Sequence, residues 1–157
     1  MSAREETSSP PRAVGAVSVM RENGGMRPDP DYLKQLLTAF QDSPEPTTDI
    51  QELADAGLPY EDDPKFEFHL FLMHDEGFVT SDRSDGSLGM DRGADGSVQW
   101  SVIPLRLTAS GQHFAEALGN SKVLATIKEK FVGASISTLQ QVAFALLKSE
   151  VTQHIHF

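Results

Sequence analysis

The chain has 157 residues, a formal net charge of −10 and a sequence pI ≈ 4.8. Its lack of cysteine excludes a disulfide framework, a thiolate metal site and a cysteine nucleophile, and fits a reducing cytoplasm. No apolar run approaches the ~18–20 residues of a membrane span, and the first residues lack the apolar core of a secretory signal.

The charge is unevenly spread. Residues 28–80 hold 13 acids against Lys34 and Lys65, a net of −11, whereas residues 108–157 hold four lysines against three acids. A DNA-binding surface gains most of its affinity from Lys and Arg on phosphates. The acidic first half therefore argues against DNA, or confines it to a small patch.

Residues 1–27 are rich in Ser, Pro, Gly and Arg and read as a disordered tail. The internal Met26 makes two accounts of that stretch equally open, a flexible tail or a mis-assigned translation start. Asp29 or Asp31 then caps a first helix, with Pro30 in its opening turn. Tyr32, Leu33, Leu36, Leu37 and Phe40 form one apolar stripe on it. Asp42-Ser43-Pro44-Glu45-Pro46 ends it in a turn. Thr48, with Asp49 and Glu52, predicts the start of a short second helix facing inward with Ile50, Leu53, Ala54 and Leu58. Gly57 and Pro59 stop it.

Pro64 opens a third helix after Asp62 or Asp63. Phe66, His69, Leu70, Met73 and His74 share one side of it, and Phe68, Phe71 and Leu72 broaden that side. Gly77 closes this helix, and Phe78-Val79-Thr80 predicts a strand. Residues 82–97 read as a loop or hairpin tip with an imperfect duplication, Asp85-Gly86-Ser87 and Asp95-Gly96-Ser97. Val98 to Leu107 predicts a second strand, pushed toward an edge by Pro104. Thr108 caps a fourth helix with Phe114 and Leu118 inward, ended at Gly119-Asn120. Ser121 caps a fifth, bearing Val123, Leu124, Ile127 and Phe131, with Lys128 and Lys130 near its C-terminus. Ser135 or Ser137 begins a sixth, with Leu139, Val142, Ala143, Leu146 and Leu147 on one face; Thr152 to Phe157 read as frayed. Helix, helix, helix, strand, hairpin, strand, helix is the order of a winged helix-turn-helix. The expected fold is mainly α with a small antiparallel β wing, divided as tail 1–27, winged helix 28–118 and C-terminal helical extension 119–157.

Four segments resemble a bacterial and prophage family, domain of unknown function 2513. They are Met26-Arg27-Pro28-Asp29…Leu33…Leu36-Leu37, His69-Leu70…Leu72-Met73…Glu76-Gly77-Phe78-Val79, Ile103-Pro104…Arg106-Leu107-Thr108…Gly111…His113-Phe114, and Ser137…Leu139…Val142-Ala143…Leu146-Leu147-Lys148. The resemblance covers 26–151 and departs at Pro30 and at the long wing loop. It implies a winged helix with extra C-terminal helices in a bacterial or phage setting, and transfers no functional residue.

The chemistry-bearing motifs of an enzyme are missing. There is no G-x-S-x-G, P-loop or Rossmann glycine pattern. His69 and His74 are five apart, not the i, i+4 of a helical zinc pair, and read as a partly packed and a solvated histidine. His154-Ile155-His156 can take a stray metal but has no supporting shell, and the wing aspartates do not fit a calcium loop. No cofactor, metal or catalytic group is assigned. Two non-enzymatic readings remain. In the first, a cytoplasmic transcription regulator, the third helix enters the major groove, Lys65 and His69 face the bases and Arg83 and Arg92 contact the backbone. In the second, an antitoxin-like or DNA-mimic interaction module, Asp62 and Asp63 with Phe66 and Phe68 form a surface for a basic protein. Phe66 and Phe68 are some 160° apart on a helix, so one of them must point away from the core. Leu139, Val142, Leu146 and Leu147 can support a homodimer, although packing within one chain is the use expected of them first.

Overall fold

The computed structural model describes residues 26–155. The expected tail falls almost wholly outside them, as do His156 and Phe157. Among the described residues six helices and four short strands follow one another: α1 (Pro30–Gln41), α2 (Ile50–Asp55), α3 (Pro64–Asp75), β1 (Val79–Ser81), β2 (Met90–Arg92), β3 (Val98–Trp100), β4 (Leu105–Leu107), α4 (Ala109–Gly119), α5 (Ser121–Lys130) and α6 (Ile136–Ile155).

Local chemistry fixes the helix starts. Asp29 caps α1 by accepting from the Asp31 and Tyr32 N–H groups, and Asp63 caps α3 in the same way toward Lys65 and Phe66. Thr108 caps α4. Two caps lie one residue from their predicted places. Asp49, not Thr48, caps α2; Thr48 instead donates its hydroxyl to Glu52. Asn120, not Ser121, caps α5. Ser135 opens α6, its hydroxyl accepting from Thr138 N–H. That helix runs on to Ile155, so residues 152–155, read as frayed, continue it.

The wing is two ribbons rather than one. β1 and β4 pair antiparallel, with Val79 opposite Leu107 and Ser81 opposite Leu105. Thr48 adds a one-residue third strand through an isolated bridge to Leu105, with bonds of 2.8 and 2.7 Å. The second ribbon, β2 with β3, pairs Met90 with Trp100 and Arg92 with Val98. The single strand expected over 98–107 is thus cut at 101–104, where the chain passes from the outer ribbon to the inner one. The expected loop 82–97 contains β2. Its Asp-Gly-Ser duplication is real in three dimensions: Asp85 and Asp95 each accept from the N–H of the serine two residues on, at 2.9 Å. Those serine bonds hold both carboxyls below their ordinary range.

One core joins the winged unit to the C-terminal helices. Leu33, Leu36, Leu37 and Phe40 of α1 meet Phe114 and Leu118 of α4, Val123 and Ile127 of α5, and Leu139, Ala143 and Leu147 of α6 in a single apolar cluster. Leu139, Ala143 and Leu147 are thereby buried within the chain. α4 reaches β1 only because residue 111 is glycine. A Cβ there would lie 2.1 Å from the Phe78 carbonyl oxygen. Gly77, with φ of +78°, turns the chain out of α3 into β1.

Candidate functional site

The position that reads DNA in a winged helix is α3, so its surroundings decide what this surface can do. Successive residues step 100° around a helix. Lys65 and His69 therefore lie on one flank, and Glu67 and Phe71 on the opposite one. Phe66, Leu70 and Met73 are buried between them.

The first flank is closed by the chain leading into α1. The Asp29 N–H donates to His69 Nε2 at 2.9 Å, and His69 Nδ1 lies 2.8 Å from the Lys65 carbonyl. Because Nε2 must accept from a backbone N–H, the proton sits on Nδ1 and the ring is neutral. His69 is 1% exposed. Burial pushes its pKa down, against the opposing effects of the Lys65 carbonyl and the Asp29 and Asp63 charges. Lys65 Nζ pairs with the Asp29 carboxylate at 2.9 Å and stands 5.0 Å from the Tyr32 ring centre. Burial pushes the Asp29 carboxyl up, but the Lys65 ammonium and two backbone N–H groups outweigh it and hold the carboxyl below its usual range. Tyr32 leans on His69 with ring centres 4.7 Å apart. Its hydroxyl is buried with no hydrogen-bond partner among the described residues. Burial first, and the Asp63 charge second, hold that hydroxyl protonated far above the ordinary tyrosine range. A cavity of about 310 Å³ opens beside this latch. Two of its cations are neutralised in place, Lys65 by Asp29 and Lys128 by Asp31, the latter at 2.9 Å.

The second flank is roofed by the β2–β3 hairpin. Trp100 stacks on Phe71 with centres 6.3 Å apart and meets Phe66 edge-on at 5.8 Å and Tyr60 at 6.1 Å. Arg92 ion-pairs with Glu67. Between the hairpin and the connector before α3 runs a groove of about 740 Å³, lined by Tyr60, Glu61, Asp62, Asp63, Glu67 and Trp100 among others. Asp62, at φ of +52°, is the one non-glycine among the described residues in the left-handed region. That turn puts Asp62 outside, exposed, while Asp63 turns in to cap α3.

These contacts place each residue singled out from the sequence. His69, expected to face bases, is buried against Asp29, so it cannot reach a groove edge. Lys65 is half-buried in an ion pair, Arg92 is spent on Glu67, and Arg83 lies exposed at the start of the wing loop. Of the interaction set, Phe66 is wholly buried. Phe68 is the ring that points away, half-exposed beside His69 at 5.2 Å. His74, read as solvated, is half-buried and bonds to the Gly86 carbonyl at 2.9 Å through Nε2, so it ties α3 to the wing loop. His113 is exposed and stacks on Phe144 with centres 4.2 Å apart. The sequence reading missed Tyr60, Glu67 and Trp100. A lone tryptophan in a wing strand, opposite a helix with more aromatic rings than one face can bury, is the signal that finds them.

Among the described residues, no helix is long and apolar enough to cross a membrane, and no group of three or more His, Asp or Glu could hold a metal ion. No protein-family model, curated protein or solved structure matches the chain.

Proposed function

We propose that this chain is a non-enzymatic protein-interaction module built on a winged-helix scaffold, and that its partner is a basic protein segment rather than DNA. The observation that carries this reading is the state of α3. Its only lysine is paired with Asp29, His69 is buried, His74 is bonded to the Gly86 carbonyl of the wing loop, and its other flank lies under the hairpin. A helix in that state brings no free cation to phosphate or to a base edge. What the same side of the molecule does offer is an acidic rim of Glu61 and Asp62 beside aromatic rings, within a chain of net charge −10. Charge complementarity of that kind steers a cationic partner and rejects nucleic acid. The resemblance to domain of unknown function 2513 fits the scaffold and leaves the partner open.

The test is a pair of titrations at low and physiological salt, one with random duplex DNA and one with an alternating Lys-Arg decapeptide. We expect saturable peptide binding that weakens with salt, and no DNA binding. Charge reversal at Glu61 and Asp62 (E61K with D62K) should abolish peptide binding. Asp63 is left untouched because its loss would uncap α3. DNA binding at physiological salt would restore the regulator reading.

A further inference from the structure

The two ribbons of the wing are attached to the molecule in different ways. β1–β4 is hydrogen-bonded to Thr48, buried by Val79, Leu105 and Leu107, and abutted by α4 at Gly111. Among the described residues β2–β3 forms a sheet of its own, its strands pairing only with each other. A two-stranded ribbon is marginal by itself in water. What holds this one to α3 is side chains: the Trp100 ring on Phe71, Phe66 and Tyr60, and the half-exposed Arg92–Glu67 pair. Gly89, with φ of +83°, and Gly86, with φ of +71°, lie where the chain enters the ribbon. The Gly89 carbonyl takes the Ser101 N–H at 2.7 Å, closing the ribbon at its base.

We propose that the β2–β3 hairpin is an autoinhibitory strap that lifts from α3 as a unit while the core stays folded. Lifting uncovers the Tyr60–Phe71–Glu67 face. That face joins the acidic rim of Glu61 and Asp62, so the strap controls how much of the surface a cationic partner can reach. This rests on the interaction reading and deepens it. The strap's own contacts describe what replaces it: a segment carrying an aromatic ring for the Tyr60–Phe71 seat and a cation for Glu67. Apparent affinity for such a segment scales with the fraction of molecules whose strap is open.

Amide hydrogen exchange on the whole chain tests the strap. Amides of residues 90–92 and 98–100 should exchange at least ~100-fold faster than those of Phe114 and Leu118 in α4, since sub-global opening is easier than global unfolding. Arg92→Ala should speed hairpin exchange about two- to fivefold, the worth of an exposed ion pair, and leave α4 unchanged. It should also tighten binding of the Lys-Arg decapeptide by a similar factor beyond Arg83→Ala, which removes the same charge from a residue outside the ribbon. Equal exchange of hairpin and α4 would overturn the strap, as would Arg92→Ala speeding both alike or tightening no more than Arg83→Ala. The interaction reading would then still stand on its own titration. If Arg92→Ala opens the hairpin and the opened chain binds duplex DNA, the strap stands and the interaction reading falls.

Discussion

The two ribbons of the wing have the same number of strands, the same antiparallel sense and three residue pairs each, yet they do opposite work. The inner ribbon alternates buried, exposed, buried in β4 and closes the core. The outer one has no fully buried residue in either strand. Pairing geometry is therefore not what makes a ribbon part of a core. What matters is which faces are covered and whether the backbone is tied to anything beyond its own partner strand. Four measurements test that contrast.

The largest effect should come from Gly111→Ala. The added methyl would meet the Phe78 carbonyl at 2.1 Å, and backbone cannot yield cheaply. We expect a loss of about 3 kcal/mol or more, read as a lower urea midpoint of the whole molecule. A midpoint within experimental error of the parent would mean the inner ribbon is not clamped by α4. Trp100→Ala should cost less, on the order of 2 kcal/mol, from its three ring contacts. Its signature should be loss of the hairpin with the far-ultraviolet helix signal kept. Collapse of the helices as well would make the outer ribbon part of the core.

A graded effect should follow pH, and it acts on the flank of α3 that the hairpin does not touch. His69 takes its proton at a lower pH in the folded chain than the ordinary 6.5 of the unfolded one. Stability is thus complete above pH 6.5 and declines as pH falls from there toward the folded value. The Asp29 carboxyl, also depressed, adds a second loss below its ordinary 3.8. Urea midpoints at pH 7.5 and 5.5 should differ, and His69→Gln should remove most of the difference; equal midpoints in the parent would refute the neutral latch. The smallest effect belongs to Tyr32→Phe. Removing a buried hydroxyl with no partner should leave stability unchanged or raise it by up to ~1 kcal/mol. A clear loss would reveal a bond to that oxygen.

Much of the fold was legible because it is written locally. The stripe Leu33, Leu36, Leu37 and Phe40, the proline at the first turn of α1 and α3, and Thr108 before α4 each act within a few residues. The displaced caps at Asp49 and Asn120 show the limit of that code. In each case two adjacent residues can cap, and Thr48 is drawn into the bridge with Leu105 instead. β2 was not legible. Met90-Asp91-Arg92 has no alternating apolar pattern and is a strand only because β3 lies beside it. The candidate site was legible in its composition but not in its assembly. The acidic residues and the surplus of rings on α3 stand out in the sequence, and Phe68 does point away from the core as the helix geometry requires. The folding back of Trp100 over Phe71 joins residues 29 positions apart through a hairpin whose first strand the sequence reads as a loop or hairpin tip, so neither the roof nor the pairing of Arg92 with Glu67 could be read along the chain.

The bridge between Thr48 and Leu105 bears on the order in which the molecule is made. Both of its hydrogen bonds join the turn before α2 to the last strand of the wing. A chain emerging from the ribosome presents α1, α2 and α3 long before β4 exists. Those helices can form, but the edge that anchors the α1–α2 turn arrives only after the whole wing has been synthesised. Closing so long a loop is slow compared with forming a helix. The bridge therefore cannot close before the final strand of the wing is made, and a nascent chain halted within the glycine-rich segment would lack the edge that anchors the α1–α2 turn.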